Sequence, residues 1–387
     1  QMNTFMGYPR PDGRAGVRNH VLILPSVACV NGPVDAIARA VPGVVPLYHG
    51  LGCGRSGSDS HLHARVLTNL GTNPNVAAVL VIGLGCEGIQ GDRLAKAIAQ
   101  SGKPVEFLNV QTDGGSRQVV EKGTAIARKM LDDATRAERV PCGMDKLVLG
   151  LQCGGSDALS GVTANPAVGL LTDWLAAEGG TALLTEVTEM IGTAHILERR
   201  GATPEIGRQV KELIDKQEAK TKEILGERAG VVISPGNMDG GMSTIREKSL
   251  GCICKAGSGP ITQVVGYGEV PTETGLVIMD GPGYDIDSMT GIVASGANVM
   301  VFTTGRGTPA GYPIVPVIKV SSNTKTFLAM PDDIDVNAGR ILEGATLQDV
   351  GDELIALTQT VADGQAPKAE AQQFDGAISI LCTQTSF

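Results

Sequence analysis

The chain has 387 residues, of which 42% are hydrophobic, 19% are charged and 3% are aromatic, and its net charge is −9. The acidic balance and the shortage of aromatic rings argue against a nucleic-acid partner, because phosphates would be repelled and bases would find few rings to stack on. The apolar content indicates a folded protein, and the length predicts more than one domain.

The sequence also gives an expectation about the compartment. No apolar run is long enough to span a membrane, and the N-terminal residues do not have the charged-then-apolar layout of a signal peptide. The eight cysteines are irregularly spaced, unlike those of a secreted disulfide framework. We therefore expect a cytoplasmic protein that has no membrane partner.

Strands and helices are predicted to alternate along the whole chain. Apolar runs closed by glycine are typical of buried strands in a parallel sheet. Such runs lie at 21–29, 44–54, 76–88 and 146–156, and helical stretches separate them. In the second half, further strands are expected at 181–187, 230–234, 275–281, 298–305 and 317–321. The polar tail from about residue 364 is expected to be extended, with its end docked on a neighbour.

This alternation predicts an α/β fold built from two units of mainly parallel sheet, with glycine-rich loops at the carboxyl ends of the strands and a Rossmann-like second unit. The segment 138–144 is the clearest break between the two units. It divides the chain into a first domain, 1–145, with an arginine-rich arm and a Cys/His crevice, and a second domain, 146–387, with substrate loops and the tail.

Cysteines mark the carboxyl ends of the four strongest strand candidates. Ligands bind just beyond the carboxyl ends of parallel strands, so neighbouring strands would bring these thiols to one crevice. A buried free cysteine is also a common small core residue, and that interpretation stays open. The four thiols are Cys29, Cys53, Cys86 and Cys153.

Histidines lie close to one of these cysteines, with His49 before Cys53 and His61 and His63 after it. The two later histidines fall in a predicted helix, where side chains two residues apart point about 200° away from each other, so one of them at most is expected in a site. Mixed histidine, cysteine and carboxylate donors suit a single divalent metal ion. The spacing lacks a C-x-x-C pair, so an iron–sulfur cluster is not favoured.

An arginine-rich segment, 7–20, precedes the first strand of the predicted sheet. Its guanidinium groups could bind the carboxylates of a substrate, since the fork of an arginine matches two carboxylate oxygens. The competing interpretation is a surface arm with ordinary turns, such as the one that Pro11-Asp12-Gly13 predicts.

Three loops of the second half could carry chemistry. The loop 234–251 offers amides, hydroxyls and a glutamate–lysine pair, and the loop 279–291 carries three aspartates. The loop 303–311 places Arg306 between two glycines after a strand, which suits binding of an oxyanion or a carboxylate. A purely structural role for each loop remains the alternative, and no phosphate-binding fingerprint is found in context.

Taken together, these segments resemble the altronate/galactarate dehydratase family of sugar-acid lyases. The resemblance covers almost the whole chain, and its most specific parts are FTTGRGTP and the EKSLG segment with the glycines before it. The matching segments are GYPRPDGRAGVRNH (7–20), GLGCG (50–54), the strand and GCE run (83–87), GNMDGG to EKSLG (236–251), FTTGRGTP (302–309) and DIDVNAGRIL (333–342).

The resemblance implies a divalent metal, most often Fe(II), with Mn(II) or Mg(II) as alternatives, and β-elimination from a 2-hydroxy acid to give a 2-oxo acid. The leading expectation is a hydro-lyase, the large subunit of an altronate- or galactarate-type dehydratase. The first alternative is a carbon–sulfur lyase, since the chain also resembles the large subunit of (2R)-sulfolactate sulfo-lyase, which releases sulfite and pyruvate. The second is a non-catalytic binding subunit.

The family typically carries a small β-rich domain before the GYPRPDGR segment, where this chain begins. A separate small β-rich subunit is therefore an expected partner, besides a small acidic substrate and further copies of the chain in a homo-oligomer. One departure leaves the sugar acid open, because the loop PGYDIDSMTG is more acidic than in many dehydratases.

Motif position and chemistry together suggest roles for individual residues. The expected metal ligands are His49, Cys53, Cys86 and Glu87. The expected substrate-binding residues are Arg14, Arg18, Asn237, Thr304 and Arg306. The residues expected to transfer protons are His61, Glu247 and Lys248.

Overall fold

The structure, a computed structural model, describes residues 3–55, 57–373 and 378–386. The strands in these ranges are β1 Thr4–Pro9, β2 Ala15–Gly16, β3 His20–Pro25, β4 Val45–Pro46, β5 Val76–Gly83, β6 Val105–Asn109, β7 Val140–Gly143, β8 Val148–Cys153, β9 Thr181–Leu184, β10 Ile261–Val265, β11 Gly275–Met279, β12 Val299–Thr304, β13 Val317–Ser321 and β14 Val336–Asn337. The α-helices are α1 Asn31–Ala40, α2 Gly57–Thr72, α3 Gly91–Ala99, α4 Gly115–Thr135, α5 Ala164–Ala177, α6 Ala194–Leu197, α7 Pro204–Leu225, α8 Pro235–Asp239, α9 Ile245–Cys252, α10 Asp285–Ala294, α11 Thr324–Ala329, α12 Leu347–Ala362 and α13 Lys368–Ala371.

Two parallel sheets organise the chain and confirm the predicted α/β architecture. The small sheet has the strand order β4-β3-β5-β6, and the large sheet has the order β10-β11-β9-β8-β12-β13-β14. Every strand pair within both sheets is parallel. A third, antiparallel sheet has the order β2-β1-β7. The direction of chain progress reverses between β3 and β5 and between β8 and β12, which makes each parallel sheet doubly wound.

The central strands of the large sheet are continuously apolar because helices cover both of its faces. In β12, Val299 and Val301 belong to the core beneath α5 and α12, while Met300 and Phe302 pack on the opposite face against α10. Because successive side chains of β12 point to opposite faces of the sheet, this strand contributes to the apolar cores on both faces.

The two parallel sheets are joined by an apolar core and by buried amides. Residues of β3 and β5 share one core cluster with residues of α10 and β12. Asn73 Nδ2 donates to the carbonyls of Val293 and Ala297, each at 2.9 Å, so the end of α2 is bonded to α10 and the residues that follow it. The small sheet ends before residue 145 and the large sheet begins after it, and we keep the domain division there as a proposal.

The structure differs from the sequence-based expectations in three places. The segment 230–234 is not a strand; a 3₁₀ helix ends at Val231, and Val232 and Ile233 line a cleft, which explains their apolar character. The run 44–54 forms only a two-residue strand. The tail is not extended throughout, because Lys368–Ala371 form α13; beyond it, Ile378 and Ile380 enter the core. Among the described helices, each is too short or too polar to span a bilayer.

Candidate active site

A cleft of about 390 Å³ opens at the carboxyl edge of the large sheet. Loops that follow β8, β9 and β11 form its walls together with the segment before α9, which is where ligands bind in doubly wound sheets. The lining residues are Gly154, Gly155, Thr188, Glu189, Val232, Ile233, Ser234, Asn237, Ile245, Lys248, Gly283, Tyr284 and Asp285.

Two buried ion pairs lie at and behind the floor of this cleft. Lys248 of α9 pairs with Glu189, which lies in the 3₁₀ helix after β9. Lys255 Nζ donates to Glu186 Oε2 at 3.0 Å, and both of these side chains are at most 2% exposed. A buried charge without a partner costs several kcal/mol, so Lys248 offsets the burial of the Glu189 carboxylate.

Two thiols complete the cluster. The Sγ atoms of Cys153, at the end of β8, and Cys252, at the end of α9, lie 2.8 and 3.0 Å from Glu189 Oε2. The two sulfur atoms lie 3.5 Å apart. Cys153, Glu189 and Cys252 therefore form a group of three buried side chains whose donor atoms all lie within 4.8 Å of one another, and such a group could hold a metal ion.

The charges in the cluster drive the pKa values of neighbouring carboxyls apart. Burial, together with the charge of Glu189, raises the pKa of Glu186 to about 8 and the pKa of Asp285 to about 6. Burial would also raise the pKa of Glu189, but Lys248 and Lys255 outweigh it and hold that pKa below its usual value. Divergent carboxyl pKa values within one site are typical of acid–base chemistry.

Glu186 is held in an uncommon backbone conformation, with a φ of 64° at a non-glycine residue. Gln152 Nε2 donates to Glu186 Oε1 at 2.7 Å and to Asp285 Oδ1 at 3.1 Å, and Ser288 Oγ donates to Gln152 Oε1 at 2.6 Å. Local strain of this kind persists where surrounding contacts impose it, and it concentrates at functional sites.

The glycine-flanked arginine lies beside the cleft. The amides of Gly305 and Arg306 donate to the Gly155 carbonyl at 3.0 and 2.8 Å, which joins the loop after β12 to a residue that lines the cleft. Thr304 is buried, and its hydroxyl accepts from the Gly307 amide at 2.9 Å. The Arg306 side chain is exposed and has no hydrogen-bond partner within the described parts of the chain.

The expected metal ligands of the first domain are placed differently. His49 Nε2 is 2.7 Å from the Pro25 carbonyl and its Nδ1 accepts from the Leu51 amide, so backbone groups occupy both ring nitrogens. Glu87 accepts from Ser26 Oγ and from two amides of its own loop. In the described ranges, Cys53 and Cys86 are exposed and do not join His49 and Glu87 in a compact ligand group.

The four strand-end cysteines follow strands of two different sheets. Cys153 belongs to the large sheet and is buried, whereas Cys29, Cys53 and Cys86 are exposed and follow strands of the small sheet. The strand before Cys153 and the strands before the other three cysteines belong to different sheets, so the condition for one common crevice, neighbouring strands, is not met.

The two arginines of the N-terminal arm that were expected to bind substrate are committed to the protein itself. The Arg18 guanidinium makes five hydrogen bonds, two to Glu370 and three to the carbonyls of Val17, Val361 and Gln365, which uses all of its donors. Arg14 pairs with Asp12 and donates to the Thr72 carbonyl. In this arrangement Arg18 has no donor left for a substrate, and it joins the arm to the C-terminal helices.

The remaining expected residues divide between the cleft and the surface. Lys248 and Asn237 line the cleft, and the Asn237 side chain fixes its wall by donating to the Ser156 carbonyl at 2.9 Å. His61 is exposed on α2. Glu247 is exposed as well, and its carboxylate accepts from the Ser243 amide at 2.8 Å at the start of α9.

Sequence reasoning missed the two buried glutamates of the cluster. Glu186 and Glu189 lie three residues apart, directly after β9 in the segment TEVTEM. Two carboxylates just beyond a buried strand were the available signal. Asp285 was recognised only as one of three aspartates on a loop.

The fold and this cleft define a doubly wound α/β protein with a buried acid–base cluster at the carboxyl edge of its large sheet. The chain belongs to the D-galactarate/altronate dehydratase family. The family model for the D-galactarate/altronate dehydratase C-terminal region matches residues 144–384, and the model for the second domain of D-galactarate dehydratase/altronate hydrolase matches residues 7–135.

Individual relatives agree with this assignment. The chain is 38% identical to altronate dehydratase of Bacillus subtilis, over 96% of this chain and 76% of the relative. It is 38% identical to galactarate dehydratase (L-threo-forming) of Escherichia coli, over 94% and 73% of the two chains. It is 35% identical to (2R)-sulfolactate sulfo-lyase subunit beta of Chromohalobacter salexigens, over 95% of each chain.

Proposed function

We propose that this chain is a metal-dependent lyase that converts a 2-hydroxy acid to a 2-oxo acid by β-elimination, with an altronate- or galactarate-type sugar acid as its substrate. The observation that carries the proposal is the group of Lys248, Glu189 and Asp285 in one cleft at the carboxyl edge of the large sheet. The family and the names of its dehydratase members support the reaction type. The cleft, at about 390 Å³, has the size of a small-molecule site.

The reaction begins with removal of the proton on the carbon next to the substrate carboxylate. This step places a second negative charge on the carboxylate, so positive groups must be fixed around it beforehand. Lys248 provides one such charge: burial would lower its pKa, but Glu189 and the nearby thiols outweigh burial and raise it. Arg306, beside Gly155, is suited to hold an acidic group of the substrate.

Asp285 is the proposed base. It lines the cleft, and its pKa of about 6 leaves it ionised at neutral pH while it still takes up a proton readily. The proton that it gains is then available to the departing hydroxyl. Loss of water gives an enol, which tautomerises to the 2-oxo acid.

A divalent metal, when bound, supplies further positive charge to the substrate carboxylate. The donor atoms of Cys153, Glu189 and Cys252 fit such an ion in distance and in chemistry. The set expected from the sequence does not fit, because His49 has no free ring nitrogen and the Glu87 carboxylate is held by its own loop. We therefore place the ion at the large sheet, with iron as the leading candidate.

Release of sulfite from sulfolactate is the second candidate, favoured by 35% identity to a sulfo-lyase subunit over 95% of each chain. That relative is named as subunit beta, which supports a two-subunit arrangement. A small β-rich partner subunit, a homo-oligomer and a cytoplasmic location remain our proposals. All eight cysteines are free thiols, which suits a reducing compartment.

The test uses the full chain together with its proposed small β-rich partner subunit, purified without oxygen, loaded with Fe(II) and offered altronate, galactarate and (2R)-sulfolactate in parallel. A 2-oxo acid without sulfite supports the dehydratase, and sulfite with pyruvate supports the sulfo-lyase. Calorimetry measures whether each acid binds. Binding without turnover favours a non-catalytic subunit, and neither binding nor turnover contradicts the proposal. Asp285→Asn should abolish turnover, whereas Asp280→Asn, an exposed aspartate of the same loop, should not.

A further inference from the structure

The C-terminal segment, 378–386, lies against α2 and is bonded to side chains of that helix. Asp59 is fully buried and accepts from the Thr383 amide at 3.0 Å. His63 Nε2 lies 3.0 Å from the Leu381 carbonyl oxygen. Because Asp59 and His63 are four residues apart on the helix, their side chains lie on the same face of it. The segment therefore meets a carboxylate and an imidazole that α2 holds side by side.

The thiol of Cys382 adds a third donor at the same point. Its Sγ lies 3.7 Å from His63 Nε2, and the donor atoms of Asp59, His63 and Cys382 all lie within 4.8 Å of one another. A nitrogen and a sulfur that bind one tetrahedral zinc ion, at about 2.1 and 2.3 Å, are separated by roughly 3.6 Å. The imidazole and the thiol are therefore spaced like two ligands of a common ion.

A buried carboxylate oxygen without a partner supports a cation at this place. Oδ1 of Asp287, in the first turn of α10, is buried and makes no hydrogen bond within the described ranges. Burial raises the pKa of the Cys382 thiol, and the charges of Asp59 and Asp287 raise it further. Arg55 opposes them, but its guanidinium donates to the carbonyl of Gln384. Two carboxylates thus face one guanidinium, and the balance is negative.

We infer that Asp59, His63 and Cys382 bind a divalent metal of borderline softness, of the Zn(II) or Co(II) type, which fastens the C-terminal segment to α2. Mixed imidazole, thiolate and carboxylate donors suit such an ion, whereas Mg(II) requires oxygen donors in an octahedral arrangement. The residues differ from those of the cluster around Glu189, so this is a second site.

Binding leaves no net charge at the site. The thiol proton leaves to solvent, and the imidazole stays neutral when Nε2 binds the ion and the ring proton moves to Nδ1. The thiolate and Asp59 then balance the two positive charges. Asp59 retains room for the ion, because a carboxylate has about four acceptor positions. The amides of Thr383 and Gln384 and the Thr383 hydroxyl supply three donors.

The ion would fix the segment between two helices. On the side of α10, the Leu381 amide donates to the Tyr267 hydroxyl at 3.4 Å, and that hydroxyl donates to the Asp287 carbonyl. On the side of α2, the ion would add metal bonds to the existing hydrogen bonds. The competing explanation is a metal-free clasp in which Asp59 and His63 hold the segment by hydrogen bonds alone.

The reactivity of the Cys382 thiol distinguishes these explanations. The reduced, metal-free full chain is treated with iodoacetamide, with and without a small excess of Zn(II), and is then digested with trypsin. Cleavage after Lys368 releases residues 369–387 as one peptide, in which Cys382 is the only cysteine, so mass spectrometry follows this thiol by itself. Zinc should slow its alkylation by ~10-fold or more, because the thiolate is the attacking group and the metal occupies it. Mg(II) should not protect the thiol.

The matched variants are His63→Gln, which should abolish the protection, and His61→Gln, an exposed histidine of the same helix, which should retain it. Calorimetry with Zn(II) should show one ion fewer per chain in Cys382→Ser than in wild type, and circular dichroism checks that each variant is folded. Equal alkylation of wild type with and without zinc, protection by Mg(II), or protection that persists in His63→Gln would each overturn the inference. Turnover has no part in this test, so its result is independent of the proposed lyase function.

Discussion

The carboxyl edges of the two parallel sheets have similar ingredients but different arrangements. Both are doubly wound, and both carry cysteines, glycines and a buried glutamate where the strands end. At the small sheet, backbone groups hold both ring nitrogens of His49, and two backbone amides with the Ser26 hydroxyl hold Glu87. At the large sheet, Glu189 is held by Lys248 and two thiols, all of them side chains whose protons can be exchanged or displaced.

This difference teaches that residue type and position near a strand end do not define a site. A polar side chain saturated by its own backbone has no capacity left for a ligand. A carboxylate paired with side chains keeps that capacity, because a substrate or a metal can replace a thiol proton or share a lysine. Substitutions of residues that are open to a ligand and of residues that are saturated by other contacts test this contrast.

Lys248→Met should have the largest effect. It removes the fixed positive charge from the cleft floor and leaves Glu189 buried without its lysine, so turnover should fall by about 10²–10³-fold or more. Steady-state kinetics measure the fall, with circular dichroism as the check on folding. Cys53→Ser and Cys86→Ser, at the edge of the small sheet, are the controls and should keep wild-type rates. Equal losses in these controls would move the active site to the small sheet.

Arg306 and Arg18 form the second contrast, between an open and a saturated arginine. Arg306→Ala should lower kcat/KM by about 10²-fold, the value of one charge-assisted bond to an anionic substrate, without affecting unfolding. Arg18→Met should instead lower the free energy of unfolding by about 3 kcal/mol, because it removes the buried guanidinium that pairs with Glu370. It should leave KM unchanged. Urea denaturation and steady-state kinetics on both variants measure these effects. A change of KM in Arg18→Met would contradict the structural role assigned to Arg18.

The pH dependence of Asp285 should be smaller but specific. A base with a pKa of about 6 in the free protein is ionised above that pH, so kcat/KM, which reports the free enzyme, should rise as pH increases through about 6 and then level off. The contribution of Asp285 to the free energy of unfolding changes in the opposite direction. A carboxyl whose folded pKa is raised binds its proton more tightly in the native state, so its contribution to stability is lost as pH rises from about 4 to about 6.

Asp285→Asn separates these two effects. The variant should lose turnover, and its free energy of unfolding should fall less between pH 4 and pH 6 than that of wild type, by roughly 2–3 kcal/mol. Chemical denaturation at the two pH values measures it. Asp280→Asn, which is exposed, should reproduce the wild-type pH dependence of both stability and rate. If the free energy of unfolding of Asp285→Asn depended on pH as it does in wild type, another group would be responsible for the change between pH 4 and pH 6.

Much of the fold could be read from the sequence, because buried parallel strands leave a strong local pattern. The apolar runs that became β3, β5, β8 and β12 are covered on both faces, and their glycine-rich ends mark the loops. Lys248 and Arg306 were likewise recognisable from the motifs around them. The segment 230–234 was wrongly predicted to be a strand, because residues that line a cleft and residues of a buried strand can both be apolar.

The arrangement of the sites was harder to read, for two physical reasons. Which strands are neighbours depends on contacts across a hundred residues or more, so the sequence did not separate Cys153 from the cysteines of the small sheet. Saturation by backbone groups is equally invisible: nothing in the sequence around His49 shows that Pro25 and Leu51 would occupy its ring. Glu186 and Glu189 were missed because a single turn of 3₁₀ helix carries no periodic signal.

Lys319 offers the smallest and most selective test. It is fully buried, its Nζ donates to the Thr308 carbonyl at 3.0 Å, and burial lowers its pKa to about 8. The bond holds one end of the loop that carries Arg306, while Asn323 and Thr326 hold the other end through the Gly305 carbonyl. Lys319→Met should therefore loosen Arg306 without removing it, raising KM by about 10-fold, the value of one hydrogen bond, with a smaller change in kcat.

The control for Lys319 is Lys325→Met on α11, an exposed lysine that should leave KM unchanged. Addition of Arg306→Ala to Lys319→Met gives a further check, since a residue that acts only through Arg306 should add little once that arginine is gone. Additive losses in the double variant would instead mean that Lys319 supports the cleft by another route. In that case Asn323 and Thr326 would be the main contacts that stabilise the loop after β12. The carboxyl edges of the small and the large sheet would then differ only in the cluster around Glu189.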